Sequence, residues 1–307
     1  MNYTLNQIRI FLKVVEMRSI TKASEELHLT QPAVSIQIKN FQEQFDIPLL
    51  ENIGRKIFIT NFGEEIAKSC RVILDEVDFV ESRKMAYLGH VIGKLTISIV
   101  STGKYVMPYF LSEFLEKYPG IQLNMDVTNK VKVVRALDKN EVDFALVSVL
   151  PKAMLFNQIE LMQNRLYLVG KKDLAEKRKT KKISDLEDMA LIYREKGSAT
   201  RLAMEGYIKK HKVKVKQSME LTSNEAVKQA LLAGLGYSIM PLIGLKNELR
   251  NGELEIIETK GLPIVTDWNL IWLKNKSLSP AASAYVAFLE EHKTDIIDKN
   301  FSWYEKF

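Results

Sequence analysis

Five short apolar runs in this chain each end on hydroxyl, amide or cationic side chains. Ser101, Thr102, Gly103 and Lys104 follow Val100; Thr128 and Asn129 follow Val127; Ser148 follows Val147. Arg194, Glu195, Lys196, Gly197, Ser198, Ala199, Thr200 and Arg201 follow Tyr193, and Thr222, Ser223 and Asn224 follow Leu221. Hydroxyls, amides and the free N–H groups of a helix start bind carboxylates and phosphates. Lys104, Arg194, Lys196 and Arg201 add countercharge. Taken singly, each Ser, Thr or Asn is explained by helix capping; five such ends in one chain favour a shared anion site.

A second set lies in Thr30–Phe41. Thr30 suits an N-cap and Pro32 the first helical turn. Val34, Ile38, Phe41 and Phe45 recur at spacings of four, three and four and form one apolar stripe. Pro32, Ile36, Lys39, Asn40 and Glu43 then point the other way, with Ser35 on the flank. That face is polar, mildly basic and tipped by one aliphatic residue, as a helix reading the DNA major groove requires: polar groups for base edges and phosphates, an aliphatic tip for a thymine methyl.

No catalytic constellation accompanies these sets. There is no Gly-x-Ser-x-Gly, no metal-spaced His pair and no phosphate-loop Gly-Lys-Ser/Thr. Four histidines and the single Cys70 give no metal-site spacing. Gly234-Leu235-Gly236 lies between a helix and a strand and is better explained as a helix C-cap than as a nucleotide loop. The expectation is a binding protein, not an enzyme, with no metal or cofactor.

The elements that must position the two sets follow in order. Leu5, Ile8, Leu12 and Val15, with Phe11 beside them, predict a first helix capped by Thr4 or Asn6. Ser19 caps a second, with Ile20, Ala23 and Leu27 inward. The Thr30–Phe41 helix completes a helix-turn-helix after the turn His28-Leu29-Thr30. Leu49–Asn52 and Lys56–Thr60 read as a β-hairpin wing around Ile53-Gly54-Arg55, whose Arg55 and Lys56 suit phosphate or minor-groove contact. Residues 1–60 hold seven Lys or Arg against six Asp or Glu. One such head is nearly neutral and would bind DNA weakly, so several copies per DNA are expected.

The next helix supplies the means. From Asn61 to about Tyr87, Ile66, Cys70, Ile73, Val77, Val80, Lys84 and Tyr87 alternate at four and three, a heptad seam suited to a second chain. Cys70 on that seam reads as a small buried hydrophobe, not a redox sensor. Leu88–Gly93 reads as a hinge. Beyond it strands and helices alternate in two series, near 95–147 and 190–240, which predicts parallel sheets with crossover helices in two similar lobes around a cleft. A late strand at Leu270–Leu273 and a helix at Pro280–His292 close the chain, before an aromatic tail, Phe301–Phe307. The basic run Lys177-Arg178-Lys179 reads as a solvated loop.

The totals fit this picture. At 307 residues the chain has room for two or three domains, and its net charge of +6 permits an anionic partner without proving one. No signal-peptide pattern and no apolar run near the roughly 20 residues of a membrane span occur, so the cytoplasm is the expected compartment and no membrane partner is expected.

With these residues in place, the chain resembles the LysR-type transcriptional regulators from residue 1 to about 292. The motif is Phe11-Leu12, Ser19-Ile20-Thr21-Lys22-Ala23, Leu27, Thr30-Gln31-Pro32-Ala33-Val34-Ser35, Gln37-Ile38, Leu49-Leu50, Thr60 and Gly63. Within the family, Ser101–Tyr105 with Pro108, Arg194–Arg201, Ser223–Gln229, Ala233–Gly236, Leu262-Pro263-Ile264 and Leu278–Ala282 look like the CbbR branch, the RuBisCO-operon regulators. Ser24, Phe41-Gln42, Leu50, Asn52 and Gly103 depart from the usual residues. Asn52 removes a positive charge beside the wing, and Gly103 implies a looser start to the first cleft helix.

The resemblance implies an α+β multidomain fold. A winged helix-turn-helix at 1–63 is followed by a dimerising linker helix at 64–88. A two-lobed effector domain, shaped like a periplasmic binding protein, fills 89–307, with lobe I about 94–161 and 270–295 and lobe II about 162–269. It also implies homodimers or homotetramers on double-stranded promoter DNA, contact with RNA polymerase, and a phosphorylated or carboxylated metabolite as effector. Ser19, Thr30, Gln31, Pro32, Ser35, Ile36, Gln37 and Lys39 would meet DNA, with Arg55 and Lys56 on the wing. Ser101, Thr102, Gly103, Lys104, Thr128, Asn129 and Ser148 would line one side of the cleft; Arg194, Ser198, Thr200, Arg201 and Asn224 would line the other. The rival classes are a cytosolic solute-binding protein and a two-lobed transferase shaped like porphobilinogen deaminase.

Overall fold

A computed structural model describes residues 2–53, 56–176 and 183–307. The chain divides into two compact units, Met1–Gly89 and His90–Phe307.

The first unit holds α1 (Leu5–Met17), α2 (Ile20–Glu26), α3 (Gln31–Gln42), β1 (Leu50–Ile53), β2 (Lys56–Ile59) and α4 (Asn61–Tyr87). Its helices start where a side-chain oxygen takes an orphan N–H. Thr4 and Gln7 form a reciprocal capping box, Ser19 accepts from Lys22 N, Thr30 from Ala33 N and Thr60 from Gly63 N. The single stripe expected of α1 is too narrow. Ile8, Phe11 and Val15 pack against Phe41, Leu49, Ala67 and Cys70, while Ile10 and Val14 pack against Ala23 and Val34. Helix α1 therefore has two apolar faces, because α2 and Val34 of α3 cover one side, and α4 with Phe41 of α3 the other. Phe41 is a hub of rings, with centroids 5.4, 5.0 and 5.2 Å from Tyr3, Phe11 and Phe45. Gln42 brackets the next loop, donating to Ile47 O and accepting from Leu49 N.

Helix α4 corrects the seam. Cys70 lies in the core of its own head with Ala67, and burial pushes its thiol pKa up, so the proton stays on. The upper seam is thereby used within the unit. Further along, Val80 is 62 % and Tyr87 95 % exposed, and Ile73 completes an outward row at seven-residue spacing.

The second unit runs β3 (Gly93–Val100), a 3-10 turn at Ser101–Tyr105, α5 (Met107–Lys117), β4 (Ile121–Thr128), α6 (Lys130–Asp138), β5 (Phe144–Val147) and β6 (Phe156–Lys171). There follow α7 (Lys172–Glu176), β7 (Ala190–Arg194), α8 (Ala199–His211), β8 (Lys216–Leu221), α9 (Asn224–Leu232) and β9 (Tyr237–Pro241). Helix α10 (Lys246–Arg250), β10 (Leu254–Ile256), β11 (Ile264–Leu273) and α11 (Pro280–Phe301) complete it. The sheet order is β4-β3-β5-β11-β6-β9-β7-β8, with β10 paired to β6.

Parallel pairing holds only inside each lobe: β3 with β4 and β5, β7 with β8 and β9. The long strands β6 and β11 run antiparallel to each other, to β9 and to β5 respectively. They tie the lobes into one sheet, and the register slips by one residue at Trp268/Asn269. The tail finds a seat on this unit. The Tyr304 hydroxyl accepts from Arg165 N at 2.9 Å, Glu305 pairs with Arg165 at 3.0 Å, and Phe301 stacks on Phe110. The Lys246 ammonium lies 5.2 Å from the Trp303 ring centroid. Helix α11 therefore reaches Phe301, nine residues past His292, because a ring-lined surface receives its end.

Candidate functional site

The carboxyl ends of the two lobes' parallel strands meet through side chains. From β7, Arg194 donates from Nη2 to Ser101 Oγ at 3.2 Å, and from the first residue of α9 Asn224 donates from Nδ2 to the same oxygen at 3.3 Å. Ser101 belongs to the turn after β3 in the other lobe, so one hydroxyl gathers two donors from across the cleft. Arg194 is only 3 % exposed, yet its Nη1 has no partner, and Asn224 Oδ1 is likewise buried without one. Buried polar groups are nearly always satisfied, so orphans clustered at one place mark where a ligand's polar atoms belong.

Capping separates the remaining residues. Asn129 accepts from Lys132 N at 3.1 Å and Ser223 from Ala226 N at 3.0 Å, so both are tied up as helix caps. Ser198 is the N-cap of α8, yet its side chain makes no capping bond, and it is buried. Thr102, Ser148 and Thr200 are buried close to their strand or helix ends, and Thr128 is half-buried at the end of β4. Gly103 does not loosen its turn: a Cβ there would stand 2.8 Å from Leu146 Cδ2, so the glycine lets the turn press onto β5. Gly197, at φ +89°, holds the turn before α8 against Val131.

The expected cations Arg201 and Lys104 sit differently from Arg194. Arg201 donates to Glu205 at 2.7 Å, to Glu220, and to the backbone oxygen of Arg194 at 2.8 Å. It braces the strand that carries Arg194 rather than offering charge to the cleft. Lys104 is exposed, with its ammonium 5.0 Å from the Tyr105 ring.

Two participants were not anticipated from sequence. Glu195 binds the Arg194 guanidinium at 2.8 and 3.0 Å. Tyr105 donates to Glu225 at 3.3 Å, a second tie between lobes, and Glu225 also pairs with Lys228. Each lay inside a stretch the sequence had singled out, Glu195 next to Arg194 and Tyr105 at the end of Ser101–Tyr105, but without a role.

On the first unit, α3 presents Gln31, Pro32 and Lys39 outward, and Ile36 is 57 % exposed. Ser35 and Gln37 are half-buried on the same helix. Lys39 faces Glu43 at 3.8 Å, a surface pair of small energetic weight. The Ser19 and Thr30 hydroxyls accept from their own helices at 3.3 and 3.4 Å, so each is a cap first. Lys56 starts β2, opposite Ile53. Gly54 and Arg55 lie outside the described residues, as do Lys177, Arg178 and Lys179.

Comparison with known proteins decides the family. Residues 5–64 match the bacterial regulatory helix-turn-helix protein family of lysR type, and residues 89–294 match the LysR substrate binding domain. The chain is 34 % identical to the HTH-type transcriptional activator CmpR of Synechocystis over 95 % of this chain and 96 % of that one. The chain belongs to the LysR family of transcriptional regulators. It is also 36 % identical to the HTH-type transcriptional regulator CbbR of Rhodospirillum rubrum, covering 93 % of this chain and 95 % of the relative. The regulatory domain of Synechocystis PCC6803 CcmR, solved in complex with 2-PG, superposes with a TM-score of 0.62 at 33 % identity, covering 66 % of this chain and 98 % of that one. As a LysR regulator, the chain is a DNA-binding transcriptional regulator with an effector domain and not an enzyme, which sets aside the solute-binding and transferase alternatives. No helix among the described residues is long and apolar enough to cross a membrane.

Proposed function

We propose that this LysR regulator binds promoter DNA through α3 and the wing, and that a small metabolite bearing a phosphate or carboxylate, held between the lobes, alters that binding. The observation that carries the proposal is Arg194: a buried guanidinium with an unpartnered Nη1, bonded across the cleft to Ser101. The 2-phosphoglycolate bound by the CcmR neighbour is an anion of this class.

In this account Thr102, Ser148, Ser198 and Thr200 add hydroxyls around the anion, and Arg201 steadies Arg194 from behind. Residues 1–63 act as the DNA head, 64–88 as the linker and 89–307 as the effector domain, its lobes changing over near 161–162 and 269–270. Gln31, Pro32, Ser35, Ile36, Gln37 and Lys39 meet the groove, with Arg55 and Lys56 at the backbone. The near-neutral head needs copies, and the row Ile73, Val80 and Tyr87 on α4 pairs two chains, with a tetramer as the working form. Contact with RNA polymerase and action in the cytoplasm complete the proposal.

Thermal unfolding of the full chain with added 2-phosphoglycolate tests it. A cleft ligand at 100 times its dissociation constant stabilises the folded state by about 2.7 kcal/mol. The wild type gains stability in that range, and Arg194→Gln does not. Equal gain in both places the ligand away from Arg194.

A further inference from the structure

The guanidinium that marks the cleft is not empty-handed. Nε of Arg194 donates to Glu195 Oε2 at 2.8 Å and Nη2 to Oε1 at 3.0 Å, a parallel two-point fork. That is the geometry in which an arginine would otherwise grasp a phosphate or carboxylate. The second Nη2 proton is aimed at Ser101. One nitrogen, Nη1, is left for a ligand.

Neighbouring residues in a regular strand point to opposite faces and cannot form such a fork. It forms here because β7 ends at Arg194 and the backbone turns. Glu195 N donates to Leu221 O at 3.1 Å, and Ser198 N donates to Glu195 O at 3.2 Å. Behind them, Arg201 holds the Arg194 carbonyl at 2.8 Å. The fork is therefore fixed from both sides, with side chains 3 % and 17 % exposed.

We infer that Glu195 sets the charge of the effector the cleft admits, by holding the fork of Arg194 and leaving Nη1 alone to meet the ligand. The inference rests on the cleft being the effector site. The ion pair has no net charge, so the first negative charge on a ligand is met mainly by hydrogen bonds from Nη1 and helix-start N–H groups. Each further negative charge meets the Glu195 carboxylate at short range in a poorly hydrated place, where like charges repel strongly. Glu195 is thus a specificity-determining residue that lowers affinity for each added charge.

The test is calorimetric titration of the full chain with 2-phosphoglycolate and with glycolate, which lacks the phosphate. Glu195→Gln keeps the shape and removes the charge, and is expected to raise the affinity ratio of 2-phosphoglycolate to glycolate about tenfold. Glu195→Asp keeps the charge and should restore the ratio to within about threefold of wild type. A merely structural role would weaken both ligands together and leave the ratio alone, and an unchanged ratio in Glu195→Gln overturns the inference while the cleft proposal stands. Should Glu195→Gln fail to fold, the wild type itself decides: 2-phosphoglycolate methylated on its phosphate carries one charge fewer and should bind within about threefold of the parent, or tighter. A parent more than about tenfold tighter than its ester overturns the inference. If neither anion binds the wild type or Glu195→Gln, the cleft proposal and this inference fall together.

Discussion

Ser101 Oγ lies 3.2 Å from Arg194 Nη2, and the two residues belong to different lobes. Asn224 reaches the same oxygen at 3.3 Å. Replacing this one acceptor therefore disturbs both lobe-II donors at once. Ser101→Val is expected to weaken effector binding about tenfold or more, since a hydrogen bond to a charged group contributes roughly 1.5–3 kcal/mol. DNA affinity without effector should stay within about threefold, because the head is a separate unit. Calorimetry and a gel-shift titration on the same preparation read the two quantities.

Helix α3 is tested by charge. Ser35→Asp places a carboxylate on the face that carries Gln31 and the exposed Ile36, without entering the Val34–Phe41 core. Operator affinity is expected to fall at least about tenfold, from repulsion by the phosphate backbone. Unchanged affinity in a gel-shift titration removes α3 from the interface.

The linker is tested by assembly. Val80 is 62 % exposed and Tyr87 95 % exposed, so an acidic side chain at Val80 costs the lone chain little. Val80→Asp should lower the molar mass seen by sedimentation at micromolar protein and, with it, the affinity for DNA. A variant of wild-type mass places the chain–chain contact elsewhere.

The tail is tested by stability. Tyr304 is buried and its hydroxyl takes the Arg165 N–H at 2.9 Å; Tyr304→Phe strands that donor and should cost about 1–3 kcal/mol. Burial, the largest cause, pushes the Tyr304 hydroxyl up to about 12 from its usual 10. With the folded value above the unfolded one, the contribution is complete below pH 10 and is lost as the pH climbs towards 12. Urea unfolding at pH 9 and pH 11 should show a smaller alkaline loss in Tyr304→Phe than in wild type.

Much of this was legible in the residues. Local signals written into one stretch of chain transferred well: Ser19 and Thr30 as caps, the α3 stripe, and the strand ends at Val100, Val147 and Leu221. Signals that depend on what packs from afar did not. Strands β6 and β11 run with polar residues such as Asn164, Asp267 and Asn269 among the apolar ones, so of β11 only Leu270–Leu273 stood out. Cys70 fits a heptad as well as it fits a head core, and only the closeness of Phe41 and Leu49 decides between them. Arg194 and Arg201 are equivalent on paper; Glu205 and Glu220 turn one of them away from the cleft.

The most direct test of the whole account is fluorescence anisotropy of the full chain on the DNA upstream of its own gene, with and without 2-phosphoglycolate, for the wild type and Arg194→Gln. The prediction is that the anion shifts the wild-type binding curve, while Arg194→Gln binds the DNA as the wild type does without effector and ignores the anion. A variant that shifts with the wild-type half-saturation contradicts the claim that Arg194 couples the cleft to the DNA.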